Sequence, residues 1–162
     1  DHYDPRNKIL RLSDATYNSP SVAAIGVAAH ECGHAVQHAV GYAPLKIRGA
    51  LVPVANFGST LAWPLILIGL LIRSDAAVLL INLGILLFSA AVLFQIVTLP
   101  VEFNASKRAV QALEKGGMLY GEEIDGTKAV LRAAALTYVA SAASMILQLL
   151  RLIIIGGRRQ DD

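Results

Sequence analysis

The chain has 162 residues, 55% hydrophobic and 16% charged, with a formal net charge of +2 and a mean hydropathy of +0.55. Soluble domains carry about 25% charged residues, so this composition argues against an ordinary water-soluble globule. A single cysteine rules out an internal disulfide, and no basic tract with interleaved aromatics points to nucleic acid.

In chain order, the sequence begins at Asp1 with no visible signal peptide, which leaves processing, truncation and an upstream membrane anchor open. Turn-prone Asp4-Pro5-Arg6-Asn7 precedes Lys8-Ile9-Leu10-Arg11-Leu12, whose weak alternation predicts a short strand. Such a strand could hold an extended peptide by strand addition, or it could merely cover a helix; both roles stay open.

The next segment, 19–41, reads as a helix. Ser19 suits the N-cap and Pro20 the first helical position, while Gly41 and then Pro44 mark the stop. Inside it lies His30-Glu31-Cys32-Gly33-His34, an H-E-x-x-H pattern. Residues four apart share one helix face, so both imidazoles can point at one metal ion, with Glu31 beside them as a general base. This arrangement suits a zinc hydrolase. His38 continues the spacing but stands about 12 Å along the axis from His30, too far for one ion, and is expected at the rim or satisfied elsewhere. Cys32 is expected to point away from the histidine face as a small buried side chain.

No residue from 49 to 72 is charged, and none from 76 to 101. Each stretch exceeds the roughly 20 residues a helix needs to cross a bilayer. With only Arg73-Ser74-Asp75 between them, they predict a transmembrane hairpin over 49–101. Pro53, Pro64, Gly58 and Gly69 interrupt the first span, as membrane helices tolerate.

Glu102 follows the second span directly. A carboxylate at the end of an apolar segment is costly without a partner, and a metal is one. The hairpin returns Glu102 to the side of the H-E-x-x-H helix, making it the candidate third ligand, on a helix over 102–116 that Pro100 starts or kinks and Gly116-Gly117 ends. Glu114, Glu122, Glu123 and Asp125 read as a polar surface loop. A C-terminal helix over 129–155 carries a weaker apolar stretch, 133–150, with a polar-to-small stripe at Thr137, Ser141, Ser144, Gln148 and Arg151. It is expected to span, with an interfacial position as the alternative.

His30-Glu31-Cys32-Gly33-His34 and Glu102-Phe103-Asn104-Ala105-Ser106, separated by a hydrophobic hairpin, resemble the gluzincin metallopeptidases. More closely, the chain is similar to the YugP-type neutral zinc metallopeptidases of bacterial membranes, which His2-Tyr3-Asp4-Pro5-Arg6-Asn7 and Ala133-Ala134-Ala135-Leu136-Thr137-Tyr138 also resemble. The resemblance implies His30, His34 and Glu102 as zinc ligands and Glu31 as catalytic base. It departs from the wider gluzincin pattern at Ser106, where an Asp often orients a ligand histidine. Ser106 can do this only weakly, which leaves Asn104, another residue or a backbone carbonyl to take its place.

The expectation is therefore a mainly α, membrane-embedded helical bundle with a gluzincin-like metal-motif helix and a short N-terminal strand or hairpin, forming one domain over 1–162. The expected function is a membrane-integrated, Zn2+-dependent endopeptidase using metal-activated water. Tyr138 and Arg132 are candidate oxyanion donors, with His38 as a rim residue. Expected partners are a peptide or protein substrate, membrane proteins included, the lipid bilayer and partner membrane proteins, without nucleic acid. Ten of the 14 Lys and Arg lie on the metal side and only Arg73 at the hairpin tip, which predicts a multi-pass protein of the bacterial plasma membrane with its active site facing the cytoplasm. Two other readings stay open: a non-catalytic zinc-stabilised membrane scaffold or partner-binding protein, and an intramembrane-cleaving metalloprotease.

Overall fold

A computed structural model describes residues 1–74 and 76–158. The described residues form a short hairpin, β1 (His2–Asp4) and β2 (Ile9–Arg11), followed by five helices: α1 (Asp14–Tyr17), α2 (Val22–Ala39), α3 (Ala43–Leu71), α4 (Ala76–Lys115) and α5 (Glu122–Arg158). The mainly helical class and the N-terminal hairpin agree with the sequence. Helices α3, α4 and α5 are each long and apolar enough to cross a membrane. Asp75 of the hairpin tip and Arg159 of the C-terminal tail lie outside the described residues.

Several boundaries differ from expectation. Helix α2 starts at Val22, with Ser21 as N-cap accepting from the Ala24 N–H at 3.2 Å. Ser19 lies two residues before this cap, and its hydroxyl donates to Ser21 Oγ at 2.9 Å. Pro100 does not start a helix: α4 runs through it unbroken, giving one 40-residue helix in place of two segments. Glu122, Glu123 and Asp125 are not loop residues; they form the first turn of α5, where negative charge suits the helix N-terminus. Glu114 lies in the last two residues of α4.

Contacts divide the chain into two compact units. The first comprises Asp1–Lys46 and Leu99–Tyr138. Its hairpin pairs His2 with Arg11, Tyr3 with Leu10 and Asp4 with Ile9, closed by a turn in which the Asp4 carboxylate accepts from the N–H groups of Arg6 and Asn7. Its apolar core gathers Leu113, Leu119 and Ile124 with Ile25, Ala29 and Val110. Two close approaches bring helices onto α2: Gly26 faces Thr127 of α5, and Gly33 faces Ala105 of α4. These glycines are seven residues apart, two helical turns, and so lie near one face of α2.

The second unit comprises Ile47–Thr98 and Val139–Asp162. Ala62, Ile66, Phe88, Val92 and Leu152 form its core, flanked by Met145 and Leu149. Trp63 meets Phe88 edge-on, 6.2 Å between ring centroids. Small residues let the backbones approach, Gly58 against the Leu87 carbonyl and Gly84 against the Ala62 carbonyl. Close contacts through small residues of this kind are common between membrane helices.

Both ends that the sequence assigns to glycine close in the same way. Gly41 has φ +66°, its N–H bonds the His38 carbonyl at 3.2 Å, and Tyr42 N–H bonds the Gln37 carbonyl at 2.9 Å. Gly117 repeats the pattern after α4, with Met118 N–H on the Leu113 carbonyl at 3.0 Å. A side chain in left-handed backbone costs about 1–2 kcal/mol. Gly41→Ala is expected to lower stability by about that amount, read as a shift in the denaturant midpoint of the detergent-solubilised protein.

Candidate metal centre

Three potential ligands converge within the first unit. His30 and His34 come from successive turns of α2, and Glu102 from α4; one ligand atom of each lies within 4.8 Å of the others. His30 Nε2 is 3.1 Å from Glu102 Oε2 and His34 Nε2 is 3.6 Å from the same oxygen. The two rings meet nearly edge-on, 4.7 Å between centroids. Zinc with bonds of about 2.0–2.1 Å in tetrahedral geometry separates neighbouring ligand atoms by about 3.3 Å. Two imidazoles and one carboxylate at these separations fit such an ion.

The carboxylate is the demanding member. Glu102 is only 3% exposed, and a buried carboxylate needs a cation or strong donors. The histidines answer it. Burial pulls the His34 imidazole down, but the Glu102 carboxylate and the Gln37 side chain more than offset this, leaving its pKa above the ordinary histidine value.

Gly33 is what allows the convergence. It lies between the two histidines, and a methyl group there would run into the Ala105 carbonyl. On α4, Ala105 stands between Glu102 and Ser106. The backbone approach at Gly33 and Ala105 therefore seats two residues of each helix against one another. Ser106 Oγ is 3.0 Å from His30 Nδ1, so Ser106 itself makes the contact for which the sequence suggests a substitute. His34 Nδ1 meets Gln37 Oε1 at 3.0 Å. Gln37 was not among the expected site residues. Its position three after His34, on the same helix face, was the available signal.

A cavity of about 260 Å³ opens beside the cluster. Asp1, His30, Glu31, Glu102, Ser106 and Tyr138 line it together with the apolar Val27, Leu131, Ala134 and Ala135. Glu31 thus shares one cavity with the metal group, and Tyr138 of α5 lies in the same wall. The arrangement can hold a cation, present a carboxylate base to a small molecule or peptide bond next to it, and shelter the reacting groups with apolar surface.

The family described as "Putative neutral zinc metallopeptidase" matches residues 1–157. The chain belongs to that family. It is also 50% identical over 162 residues to the "Putative membrane protease YugP" of Bacillus subtilis (strain 168), a match that covers all of this chain and 71% of that protein. No solved structure matches.

The remaining candidate residues of this zinc metallopeptidase family member are distributed as follows. His38 stands outside the metal group: its Nδ1 lies 2.8 Å from the Tyr3 hydroxyl of β1, so it is satisfied by the hairpin. Asn104 acts one step further out, where its Oδ1 accepts from Gln37 and Arg108. Arg132 is exposed and is absent from the cavity wall, because its neighbour Leu131 takes the inward face of α5. Cys32 is exposed, not buried as expected, and is not a member of the metal group. Desolvation, with help from the Glu31 carboxylate, raises its thiol pKa, so the thiol stays protonated near neutrality.

Two outcomes follow from this geometry. Gly33→Ala forces α2 and α4 apart against a backbone atom that cannot swing aside; bound zinc is expected to fall from about one per chain to near zero by elemental analysis, with helical circular dichroism retained. The second concerns the metal-free protein. The folded state holds the His34 proton more tightly than the unfolded chain does, so this contribution is complete below the unfolded histidine value of about 6.5 and is lost as pH rises through the higher folded value. Chelated protein is therefore expected to lose stability as pH climbs above about 6.5, and Glu102→Gln is expected to flatten that slope in pH-dependent denaturation.

Proposed function

We propose that the protein is a membrane-integrated, zinc-dependent endopeptidase with His30, His34 and Glu102 as metal ligands and Glu31 as general base. The observation that carries this reading is a buried carboxylate converging with two imidazoles, with Glu102 and His30 lining the cavity that Glu31 also lines. A zinc held only for structure requires no free carboxylate beside it. The family to which the chain belongs and the membrane protease it resembles point the same way.

When bound, zinc supplies a Lewis acid that brings the pKa of water to about 7 and stabilises charge on a carbonyl oxygen. Glu31 takes the proton of the attacking water and passes it to the leaving amine. Tyr138, from the adjoining wall, is the candidate donor to the developing oxyanion. Ser106 and Gln37 hold the ligand rings so that their Nε2 atoms face Glu102. Val27, Leu131, Ala134 and Ala135 give the cavity an apolar wall beside the reacting groups.

The substrate is a peptide or protein, membrane proteins included. The protein resides in the bacterial plasma membrane, a reading supported by α3, α4 and α5, each long and apolar enough to cross it. Its active site faces the cytoplasm, as the concentration of Lys and Arg outside the apolar stretches indicates.

Glu31→Gln is expected to keep zinc while lowering cleavage of a peptide library by about 100- to 10,000-fold, followed by mass spectrometry. Zinc-loaded wild type that cleaves no better than this variant would leave a zinc-stabilised scaffold as the reading.

A further inference from the structure

We propose that Gln37 is a positioning residue that presets the His34 ring for a cation, and that Arg108 determines the orientation of Gln37 through Asn104. The proposal rests on His34 being a zinc ligand, as proposed above. It goes further by assigning the tautomer of that ligand and the residues that enforce it.

The argument follows donors and acceptors along one chain of contacts, all within the first unit. A guanidinium can only donate. Arg108 Nε reaches one end of the Asn104 amide at 2.8 Å, so that end must be the carbonyl oxygen. The same Oδ1 lies 3.1 Å from the Gln37 amide, which must therefore present its NH2. A second contact requires this independently. The same Gln37 nitrogen is 2.8 Å from the Val101 backbone carbonyl, which can only accept. A reversed Gln37 would set its oxygen against two acceptor oxygens in a site where Gln37 is 0% exposed and water cannot intervene.

With NH2 spoken for, Gln37 Oε1 is the atom that faces His34 Nδ1 at 3.0 Å. An amide oxygen only accepts, so His34 Nδ1 carries a proton. A neutral His34 then has its lone pair on Nε2, the atom 3.6 Å from Glu102 Oε2. The ligand atom is thus dictated by a guanidinium three contacts away and by one backbone carbonyl.

His30 lacks this enforcement. Its Nδ1 faces the Ser106 hydroxyl at 3.0 Å, and a hydroxyl can donate or accept. The two imidazoles are therefore unequal at Nδ1: His34 faces an obligate acceptor there, and His30 a hydroxyl that can play either part, with its Nε2 3.1 Å from Glu102 Oε2.

The test uses the full chain in detergent, zinc-loaded, with 15N-labelled histidine; only four histidines contribute signals. His34 is expected to show a protonated Nδ1 and an unprotonated Nε2. Gln37→Leu is expected to raise the zinc Kd by about 10- to 100-fold in chelator competition and to alter the ligand-field spectrum of the cobalt-substituted protein. Asn104→Leu leaves Gln37 and the Val101 contact in place and is expected to weaken zinc by a smaller factor; it also decides the matter if Gln37→Leu fails to fold. Protonation of His34 at Nε2, or an unchanged zinc Kd in both variants, would overturn the proposal while leaving the metal centre intact. Wild-type protein that binds no zinc would remove the metal centre and this inference with it.

Discussion

The site depends on one close approach. Gly33 of α2 and Ala105 of α4 bring two backbones together at a point where no side chain fits. On either side of Gly33 stand His30 and His34; on either side of Ala105 stand Glu102 and Ser106. Helical spacing places each pair near the contact, and the contact brings the pairs within ligand distance. A glycine inside a metal-binding motif is usually read as spacing. Here it governs how closely the second helix can come.

That proximity makes burial of Glu102 sustainable. A carboxylate removed from water in an apolar setting needs a compensating charge, and the two Nε2 atoms at 3.1 and 3.6 Å put imidazoles where a proton or a divalent cation can supply it. Around them the polar atoms are paired: Ser106 on His30, Gln37 on His34, and Asn104 and the Val101 carbonyl on Gln37. No buried side-chain nitrogen or oxygen among the described residues lacks a partner. Such satisfied networks hold a ligand set in one geometry.

The apolar unit is built by a related rule with different residues. Ile66, Phe88, Val92 and Leu152 fill its core, while Gly58 and Gly84 let helices touch through their backbones. Prolines 53 and 64 within α3 and Pro100 within α4 are accommodated in continuous helices, so they did not act as the breaks that soluble-protein rules suggest for Pro100.

By itself the sequence determined the elements whose physics is local. His30 and His34 share a face because of helical periodicity, Gly41 and Gly117 end helices because left-handed backbone favours glycine, and long uncharged stretches announce helices able to cross a membrane. Glu102 was legible as a ligand candidate because an acid at the end of an apolar segment demands a partner. The tertiary structure alone decided which residues stand behind the candidate ligands and what lines the cavity beside them. Gln37 on His34, the Arg108–Asn104–Gln37 chain, Tyr138 in the wall and Arg132 outside it all depend on how α4 and α5 rotate against α2. No periodicity reports that rotation, because it is set by side-chain volumes where helices meet. The first turn of α5 was missed for a similar reason: its three acids look like a loop in isolation and become helical where they begin a helix that packs through Ile124 and Thr127.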